Sequence, residues 1–445
     1  MRKISDWGNY PVIDAEVAGF DTAEQLREKL ARPGEVIAFG NGRSYGDASL
    51  QESMLLTRRF NKFLSFDEAT GELCCQAGTL LSEILEVFAP RGWFLPVTPG
   101  TKFITIGGAI AADVHGKNHH VDGSFGQHVR SMDVMRNDGS VITCTPTENS
   151  DFFSVTVGGM GLTGVILNAT FRLRKIETAY IREETIRAEN LDDIMDGFEA
   201  SNDWTYSVAW IDCLAKGDAL GRSIMMRGEH ATATELVDAS HKQSPLVPKR
   251  GLQLDVPFVF PNFALNPLTM KAFNFVYYNK CRPGTHKRMV DYNSFFYPLD
   301  AIGNWNRIYG KRGFTQYQFV IPKEAGREGM RKILTRITES GLGSFLAVLK
   351  LFGEQESFMS FPMTGYTLAL DFPISLKAMD LFKELDAMVA DYGGRLYLAK
   401  DSRMSAAMFE KTYPNADAFR QAIAMLNKGE TKFGSLQSKR IGITD

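Results

Sequence analysis

The sequence predicts an α+β protein of two domains, and three observations support this class. Short strand-like segments and glycine-rich loops fill about the first 178 residues, and many of the 40 glycines lie between Gly40 and Gly164. From about residue 178 to about 394, long helical stretches alternate with aromatic-rich strands, which is typical of a largely antiparallel sheet. The last fifty or so residues return to short motifs. A chain of 445 residues is also long for a single hydrophobic core.

The bulk composition limits the class of partner. The chain is 44% hydrophobic and 23% charged, and its net charge of -2 gives no global field for nucleic acid, so no nucleic-acid partner is expected. Its five scattered cysteines are expected to be buried free thiols in a reducing compartment. The N-terminus lacks an apolar signal core, and no uncharged stretch reaches the roughly 18 apolar residues of a spanning helix. We therefore expect a cytoplasmic protein with no signal peptide or transmembrane helix, and a peripheral contact with the inner membrane face stays open.

Hydrophobic periodicity predicts the elements of the first part in order. They are a helix over 22–32, strands over 35–39, 65–67 and 73–77, a helix over 79–88 with Thr79 as a candidate N-cap, a glycine-opened helix over 107–113, and a strand from 165. In that last strand apolar residues from Val165 to Leu173 alternate with mostly polar ones. This period of two indicates one buried face.

The second part contains the longer elements. Helices are predicted over 191–199, 323–339 and 376–392, and the clearest strands over 206–211, 316–321, 345–351 and 366–372. The segment 256–298 is the least orderly and is rich in Phe and Tyr. It has two interpretations, an ordinary core segment or a lid over a site that receives an apolar ligand.

Two glycine-rich segments carry the main chemical signal. The first, 40–47, follows a strand, where small residues let backbone N–H groups converge on phosphate oxygens. The second, 99–113, places loop amides beside the N-terminus of a helix. Together the two segments could hold a pyrophosphate.

A third glycine segment, 159–164, matches the dinucleotide fingerprint, with Glu184 at a suitable distance downstream. A Rossmann site requires a helix after these glycines. Here the following residues have the period of a strand, so we reject that site. The same glycines could still face a cofactor.

The segment His-Gly-Lys-Asn-His-His at 115–120 is the densest cluster of polar side chains. A metal site is disfavoured because Gly116 opposes the helix that His115 and His119 would need, and no further ligand stands at suitable spacing. We predict no metal. A loop that presents His and Lys to an anionic or hydroxylated ligand is the better interpretation.

The segments 40–47, 98–129 and 157–165 resemble the FAD domain of the vanillyl-alcohol-oxidase/p-cresol-methylhydroxylase superfamily. Within it, the segments 115–120, 123–126, 316–322, 350–353, 371–373 and 399–403, together with Trp210, resemble the decaprenylphosphoryl-ribose 2-oxidase family. The similarity spans almost the whole chain in the same order. It implies a discontinuous FAD-binding domain, 1–178 plus 395–445, around a substrate-binding domain, 179–394.

The resemblance implies half of an epimerisation. FAD would remove a hydride from the 2-hydroxyl carbon of a polyprenyl-phosphoryl ribose, and a separate NAD(P)H-dependent short-chain dehydrogenase would reduce the 2-keto sugar to the arabinose form. An alditol or aldonolactone oxidase of the same fold that uses O2 is the main alternative. A non-catalytic flavin protein and a NAD-dependent dehydrogenase are more distant ones.

Site residues follow by matching position. The catalytic set that the resemblance implies is Lys400, Tyr45, His115 and Lys117. Lys400 would lie near the flavin edge and the other three would face the substrate, and which of the four accepts the hydroxyl proton is left open. The implied substrate-binding set is Trp210, Gln316, Gln318, Lys350 and Ala369. Ala369 occupies a slot where mycobacterial-type members carry Cys, so agents that bond that thiol should bind only reversibly, or poorly.

The resemblance also implies a set of FAD contacts. These are Gly40, Asn41, Gly42, Arg43, Ser44, Tyr45, Pro99, Gly100, Thr101, Thr105, Gly107, Gly108, Ala111, His115, Gly116, Asn118, Gly123, Ser124, Gly161, Gly164, Val165 and Lys400. Members that tether FAD through the first loop use a His where this chain has Arg43. FAD is therefore expected to be non-covalent.

Overall fold

The structure is a computed structural model that describes residues 1–249, 251, 253–426 and 432–445. Its first structural unit is a small sheet at the N-terminus. The first sheet has the strand order β1-β2-β4-β3. Its strands are β1 Arg2–Ile4, β2 Ile13–Gly19, β3 Ile37–Phe39 and β4 Ser53–Leu56. Strand β3 ends directly before the Gly40 loop, which places that loop at the edge of this sheet.

A second, antiparallel sheet follows, with the order β5-β6-β10-β8-β9. Its strands are β5 Phe63–Asp67, β6 Glu72–Gln76, β8 Val129–Met135, β9 Val141–Cys144 and β10 Val165–Arg172; the short strands β7 Trp93–Phe94 and β11 Arg174–Lys175 pair with each other beside it. Val165, Ala169 and Phe171 are buried, which confirms the apolar face predicted from the period of two. Because β10 begins directly after Gly164, a strand stands where a Rossmann site would need a helix.

The largest sheet has eight strands in the order β16-β12-β14-β13-β19-β20-β18-β21, all antiparallel. Its strands are β12 Tyr180–Ala188, β13 Tyr206–Ile211, β14 Ser223–His230, β16 Thr285–Asp291, β18 Phe314–Pro322, β19 Ala347–Phe352, β20 Gly365–Pro373 and β21 Arg395–Leu396; β15 Leu254–Asp255 and β17 Ile302–Gly303 form a separate pair. The predicted antiparallel sheet is confirmed. The predicted domain limits at 178 and 394 stay a prediction, and β21 joins this sheet just beyond the second limit.

Helices complete the layers. They are α1 Ala23–Leu30, α2 Leu81–Phe88, α3 Ile106–Ala111, α4 His119–Asp122, α5 Ser150–Thr156, α6 Leu191–Glu199, α7 Ala239–Gln243, α8 Pro267–Asn279, α9 Tyr292–Phe296, α10 Gly326–Ser340, α11 Leu376–Asp391, α12 Ala406–Thr412, α13 Ala416–Leu426 and α14 Leu436–Arg440. The apolar sides of α6, α10 and α11 form a core with one face of the large sheet. On that face Tyr317 stacks on Phe382 of α11 at 5.1 Å between ring centroids. The opposite face of the sheet is therefore left for the site.

The predicted N-cap of α2 is wrong. Thr79 lies one residue too early, and Leu80 occupies the N-cap position. The Glu83 carboxylate accepts the Leu80 N–H at 2.7 Å and so satisfies the end of the helix from within. Thr79 instead uses its main chain, which accepts the N–H of Ile106.

The core interpretation of segment 256–298 is wrong for most of its length. Phe258, Phe263 and Phe275 are exposed, whereas burial is confined to Val256, the inner side of α8 with Cys281 just after it, and the residues around α9. Composition could not separate these two outcomes because aromatic residues serve both cores and contact surfaces. No helix among the described residues has both the length and the apolar character needed to cross a membrane.

Candidate active site

One face of the large sheet gathers the predicted substrate residues. The strand register pairs Trp210 with Val348, Val348 with Ala369, and Ala369 with Gln318, so four strands contribute to one row. Paired residues of neighbouring strands point to the same face of a sheet. The row thus lies on the face opposite the helices.

Two further pairs extend this face. Lys350 pairs with Thr367, and Gln316 pairs with Asp371. All five residues predicted to bind substrate therefore share one face. Trp210 is anchored there by its indole N–H, which donates to the Phe345 carbonyl at 3.0 Å.

Lys350 has an unusual environment for a lysine. It forms no hydrogen bond or ion pair with any described residue of the protein. Burial lowers its pKa to about 8. A lysine that folding removes from water without a counter-ion is costly unless a ligand supplies one. The position therefore suits an anionic or hydroxyl-rich ligand.

His115 meets the sheet face from the glycine-rich loop. Its Nε2 lies 3.1 Å from Nε2 of Gln318, so the amide donates and the imidazole accepts. Burial lowers the His115 pKa well below its usual range, and Lys350 and Lys400 act in the same direction. The ring is therefore neutral, with its proton on Nδ1. Nδ1 is buried without a partner in the described chain, which leaves one donor for a ligand.

Lys117 is held by the protein itself. Its ammonium donates to the Phe295 carbonyl and lies 4.3 Å from the centroid of the Phe295 ring. Its main-chain carbonyl accepts the N–H of Ser207 at 2.9 Å. Burial lowers its pKa to about 7. Lys117 thus joins the His115 loop to α9 and to the start of β13.

Lys400 and Tyr45 form the other side of the site. A short 3-10 turn, Leu398–Lys400, follows β21 and places the Lys400 ammonium 3.7 Å from the centroid of the Tyr45 ring. Burial lowers the Lys400 pKa, while Asp371 opposes that effect. Burial also raises the Tyr45 pKa, so its phenol stays protonated. Lys400 is therefore the more readily deprotonated partner of this pair.

Two buried carboxyls near Lys400 were missed by sequence reasoning. Asp371 accepts from Gln316 Nε2 at 2.6 Å, and burial raises its pKa. Asp6 accepts from Ser49 at 2.9 Å, and burial raises its pKa to about 7. Asp371 could have been found, since it stands two residues after Ala369 on the same strand. No sequence pattern identifies Asp6.

The first glycine loop offers free donors. The N–H groups of residues 41–44 donate to no acceptor in the described chain, whereas Tyr45 N–H donates to the Ala399 carbonyl at 3.1 Å. Free, partly exposed loop amides are what a pyrophosphate requires. Arg43 packs 4.0 Å over the Trp7 ring. The loop therefore fits the phosphate part of FAD.

The second glycine segment behaves differently from its predicted form. The first N–H groups of α3 are already used: Gly107 donates to the Ala77 carbonyl and Gly108 to the Thr105 hydroxyl at 3.1 Å. The N-terminus of this helix is therefore closed to an anion, and this part of the predicted cradle is wrong. Free amides occur instead in the preceding loop, where the N–H groups of Gly100 and Thr101 donate to no acceptor among the described residues. A Cβ on Gly100 would meet nothing within 4 Å, so the loop leaves open space beside it.

Several predicted FAD contacts have protein partners. Asn118 donates to the Pro96 carbonyl at 2.8 Å, and Ser124 donates to Asp113 at 2.6 Å. Gly40 and Gly116 are close-packed, because a Cβ on either would lie 2.6 Å from a side-chain oxygen, of Thr105 and of Asn118 respectively. The remaining predicted FAD positions lie in the loop before α3 or in or beside α3, α4 and the start of β10; they are Pro99, Ala111, Gly123, Gly161, Gly164 and Val165. Their contacts with FAD stay a prediction.

Asp113 is a further residue that sequence reasoning did not assign. It is 1% exposed and accepts hydrogen bonds from Ser124, Gly126, Gln355 and Ser360. Two of these donors come from the loop after β19. Asp113 therefore fixes the glycine-rich loop to the large sheet.

No group of three or more His, Cys, Asp and Glu side chains in the described ranges is arranged to hold a metal ion. Three lysines and a neutral histidine dominate the site, and loops with free amides lie beside it. Such a donor set suits phosphates and a redox cofactor. It gives the protein binding and orienting groups and leaves the electron transfer to the cofactor.

Comparison with known proteins identifies that cofactor. A family model described as an FAD binding domain matches residues 21–145, which include both glycine-rich loops. The fold and the site thus define an FAD-binding oxidoreductase of the vanillyl-alcohol-oxidase/p-cresol-methylhydroxylase type.

Individual relatives narrow the class. Decaprenylphosphoryl-β-D-ribose oxidase of Mycolicibacterium smegmatis is 40% identical over 430 residues, which cover 94% of this chain and 92% of that protein. The chain therefore belongs to the decaprenylphosphoryl-β-D-ribose oxidase family. An L-gulono-1,4-lactone dehydrogenase of Mycobacterium tuberculosis is 21% identical over 93% of this chain and 94% of its own length. L-gulonolactone oxidase of Mus musculus is 26% identical over 33% of this chain and 34% of its own.

Proposed function

We propose that this protein uses FAD to oxidise the 2-hydroxyl of a polyprenyl-phosphoryl ribose to a 2-keto sugar. This is the first half of an epimerisation to the arabinose form. The observation that carries the proposal is Lys350, a lysine that has no partner among the described residues and lies on the sheet face that also bears Gln318 and Trp210. The family relationship supports it, since a relative that is 40% identical is named for a decaprenylphosphoryl ribose.

The ligand groups can be assigned to this face by their chemistry. Lys350 would bind the phosphoryl group as a point charge, and Gln316 and Gln318 would bind sugar hydroxyls. Trp210, at the end of the row, offers an apolar surface for the first prenyl unit. Ala369 lies between Trp210 and Gln318 and contributes only a methyl group. It therefore leaves room beside the sugar.

Bound FAD supplies the acceptor for the hydride. Lys400 is the residue that we assign as acceptor of the hydroxyl proton, because burial favours its neutral amine. His115 is less suited, since its unprotonated nitrogen already accepts from Gln318. Tyr45 keeps its proton and orients Lys400 through its ring. Lys117, tied to the Phe295 carbonyl, would position the His115 loop.

We infer that FAD is bound non-covalently. The slot that would carry a tethering His holds Arg43, whose guanidinium stacks on Trp7 at 4.0 Å. A guanidinium cannot form the flavin–imidazole bond. After acid precipitation the yellow colour should stay in the supernatant, and colour retained in the pellet would contradict the assignment.

The proposal includes a second enzyme and a location. A NAD(P)H-dependent short-chain dehydrogenase would reduce the ketone, because an epimerisation needs both an oxidation and a reduction. A lipid-linked sugar resides in a membrane, so the protein would work at the cytoplasmic face of the inner membrane through a peripheral contact. Incubation with such a dehydrogenase, NADH and an artificial electron acceptor that reoxidises the flavin should convert the ribose form to the arabinose form, whereas either enzyme alone should not.

The first experiment follows the flavin. The oxidised holoenzyme should absorb near about 450 nm, a property of oxidised flavins, and anaerobic addition of a short-chain polyprenyl-phosphoryl ribose should bleach that band. Free alditols and aldonolactones should leave it unchanged. Bleaching by a lactone or an alditol alone would move the function to the lactone-oxidase side of the superfamily, to which the weaker relatives point.

A matched variant tests the assignment of Lys350. Lys350→Met keeps the length of the side chain and removes its charge. It should weaken binding of the phosphorylated sugar by more than about tenfold, since a charge-assisted hydrogen bond contributes about 1.5–3 kcal/mol. The exposed Lys377→Met serves as control. Equal affinity in wild type and Lys350→Met would show that the phosphate binds elsewhere.

A further inference from the structure

Helix α8 presents its apolar side to water. Leu268, Phe275 and Val276 are 77%, 60% and 68% exposed, although their helical spacing places them on one side together with Ala272. A surface helix of a globular protein normally turns such a stripe toward the core. The stripe therefore has no partner within the described chain.

Polar contacts fix this orientation. The buried side of α8 is held by Asn274, which donates to Asp212 at 2.8 Å, and by Tyr278, which donates to the Ala188 carbonyl at 3.1 Å. Both are fully or nearly buried. Rotation of α8 that hid the apolar stripe would break both hydrogen bonds. The outward stripe is thus part of the fold.

The surrounding charge is one-sided. Between residues 256 and 290 the chain has five Lys and Arg residues and no Asp or Glu, in a protein whose net charge is -2. Lys287 and Arg288 are paired with Glu184 and Glu183 of the neighbouring strand. Lys271, on α8 beside the stripe, is exposed and has no ion-pair partner among the described residues. The stripe is therefore accompanied by positive charge.

The inner edge of α8 is continuous with the substrate face. The Tyr277 ring lies 4.7 Å from the Trp210 ring, and the Phe273 ring lies 5.5 Å from that of Phe345, whose carbonyl holds the Trp210 indole. Helix α8 thus covers the end of the Trp210–Gln318 row. A ligand that leaves this end of the row would reach the outer side of α8.

We propose that the outer side of α8, formed by Leu268, Lys271, Ala272, Phe275 and Val276, docks on an anionic lipid bilayer. The helix would lie in the plane of the interface, with its apolar stripe at the boundary between headgroups and acyl chains. Lys271 would meet anionic headgroups, and the exposed Phe263 just before α8 would add apolar area. This inference deepens the proposed function and rests on it, because docking would serve to take a lipid-linked sugar from the membrane.

The chemistry favours a bilayer over a protein partner. Lysine is depleted at the centres of protein–protein interfaces, whereas basic residues beside an outward apolar stripe are typical of helices that bind membrane surfaces. The dehydrogenase is the alternative partner for this surface, and the experiment distinguishes it from a bilayer.

The test is flotation of the holoenzyme with phosphatidylcholine vesicles, with and without phosphatidylglycerol. Wild type should float with the anionic vesicles. The variant Leu268→Ser/Phe275→Ser/Val276→Ser should lose more than about tenfold in vesicle binding, and Lys271→Glu should lose the preference for anionic lipid. Leu376→Ser, at an 86% exposed leucine at the start of α11 in the opposite layer, should bind like wild type.

Two results would overturn the inference. One is a holoenzyme that does not float with anionic vesicles; the other is a triple variant that floats as wild type does. If the triple variant instead lost binding to the dehydrogenase and kept vesicle binding, the surface would be a protein interface. Flavin bleaching by a short-chain, water-soluble substrate tests the proposed function separately, because it needs no vesicle.

Discussion

The substitution Lys350→Met should make the protein more stable while it weakens ligand binding. Burial lowers the Lys350 pKa from 10.5 to about 8, and each pH unit corresponds to about 1.4 kcal/mol. Keeping the ammonium charged in the folded protein therefore costs about 3 to 4 kcal/mol at pH 7. Methionine has a similar length and no charge, so the variant should gain about this amount in free energy of unfolding.

The pH dependence of this gain has a defined sign. Below about pH 8, Lys350 is charged in both the folded and the unfolded protein, so its cost is fully present. Between about pH 8 and 10.5 the folded protein loses the proton first and the cost disappears. The advantage of Lys350→Met over wild type should therefore be largest at pH 7 and shrink toward pH 10.

Urea unfolding at pH 7 and pH 9.5 would measure this difference, with flavin content matched because a bound cofactor stabilises the folded state. The exposed Lys377→Met should change the free energy of unfolding by less than about 0.5 kcal/mol at both pH values. A Lys350→Met variant that is less stable than wild type at pH 7, or whose advantage does not shrink with pH, would refute the argument that Lys350 is an uncompensated buried cation.

Three further predictions concern other parts of the site. Asp113→Ala leaves four hydrogen-bond donors without their acceptor and should lower the free energy of unfolding by roughly 3–5 kcal/mol, as measured by urea unfolding. Asp113→Asn should lower it by less. An equal, small effect of both variants would show that the loop is held by other contacts. Lys400→Met should lower the flavin midpoint potential by about 30 to 60 mV in a dye-coupled titration, because the ammonium that forms when Lys400 takes up a proton favours the reduced flavin, and about 30 mV corresponds to about 1.4 kcal/mol for two electrons. An unchanged potential would place Lys400 away from the flavin. Ala369→Cys should make inhibition by thiol-bonding agents time-dependent, with an adduct visible by mass spectrometry, whereas wild type should give neither.

Periodicity predicted most of the elements because they depend on local burial. The helix α6 and the strand β13 match their predicted ranges, and β10 shows its alternating apolar face. Local patterns failed where a long-range partner decides the structure. The N-terminus of α3 is closed by the carbonyl of Ala77, which lies far back along the chain. The Thr79 cap failed for a local reason, because the Glu83 carboxylate accepts the N–H of Leu80.

The site was predictable in part for the same reason. Alternate residues of a strand point to the same face, so the sequence alone groups the substrate residues within each of β18, β19 and β20. Only the register between strands shows that Trp210, Ala369 and Gln318 form one row. Asp113 and Ser360 are 247 positions apart, and such a contact leaves no local signal. The aromatic segment before α9 was ambiguous because composition does not state which side of a helix is turned to water.

The two ends of the chain build one corner of the site, and their packing links the flavin loop to Lys400. A Cβ on Gly46 would lie 1.8 Å from the Asp401 carbonyl oxygen, so the first loop can approach the Lys400 turn only through a glycine. Arg440 then joins Asp47 at 2.6 Å and Asp401 at 2.9 Å, so one guanidinium spans both segments. Since the free amides of the loop and the ammonium of Lys400 are fixed to the same frame, a shift of either segment displaces both. The packing of the C-terminal segment against the first glycine loop thus sets the distance between the loop amides proposed to bind phosphate and the proposed proton acceptor.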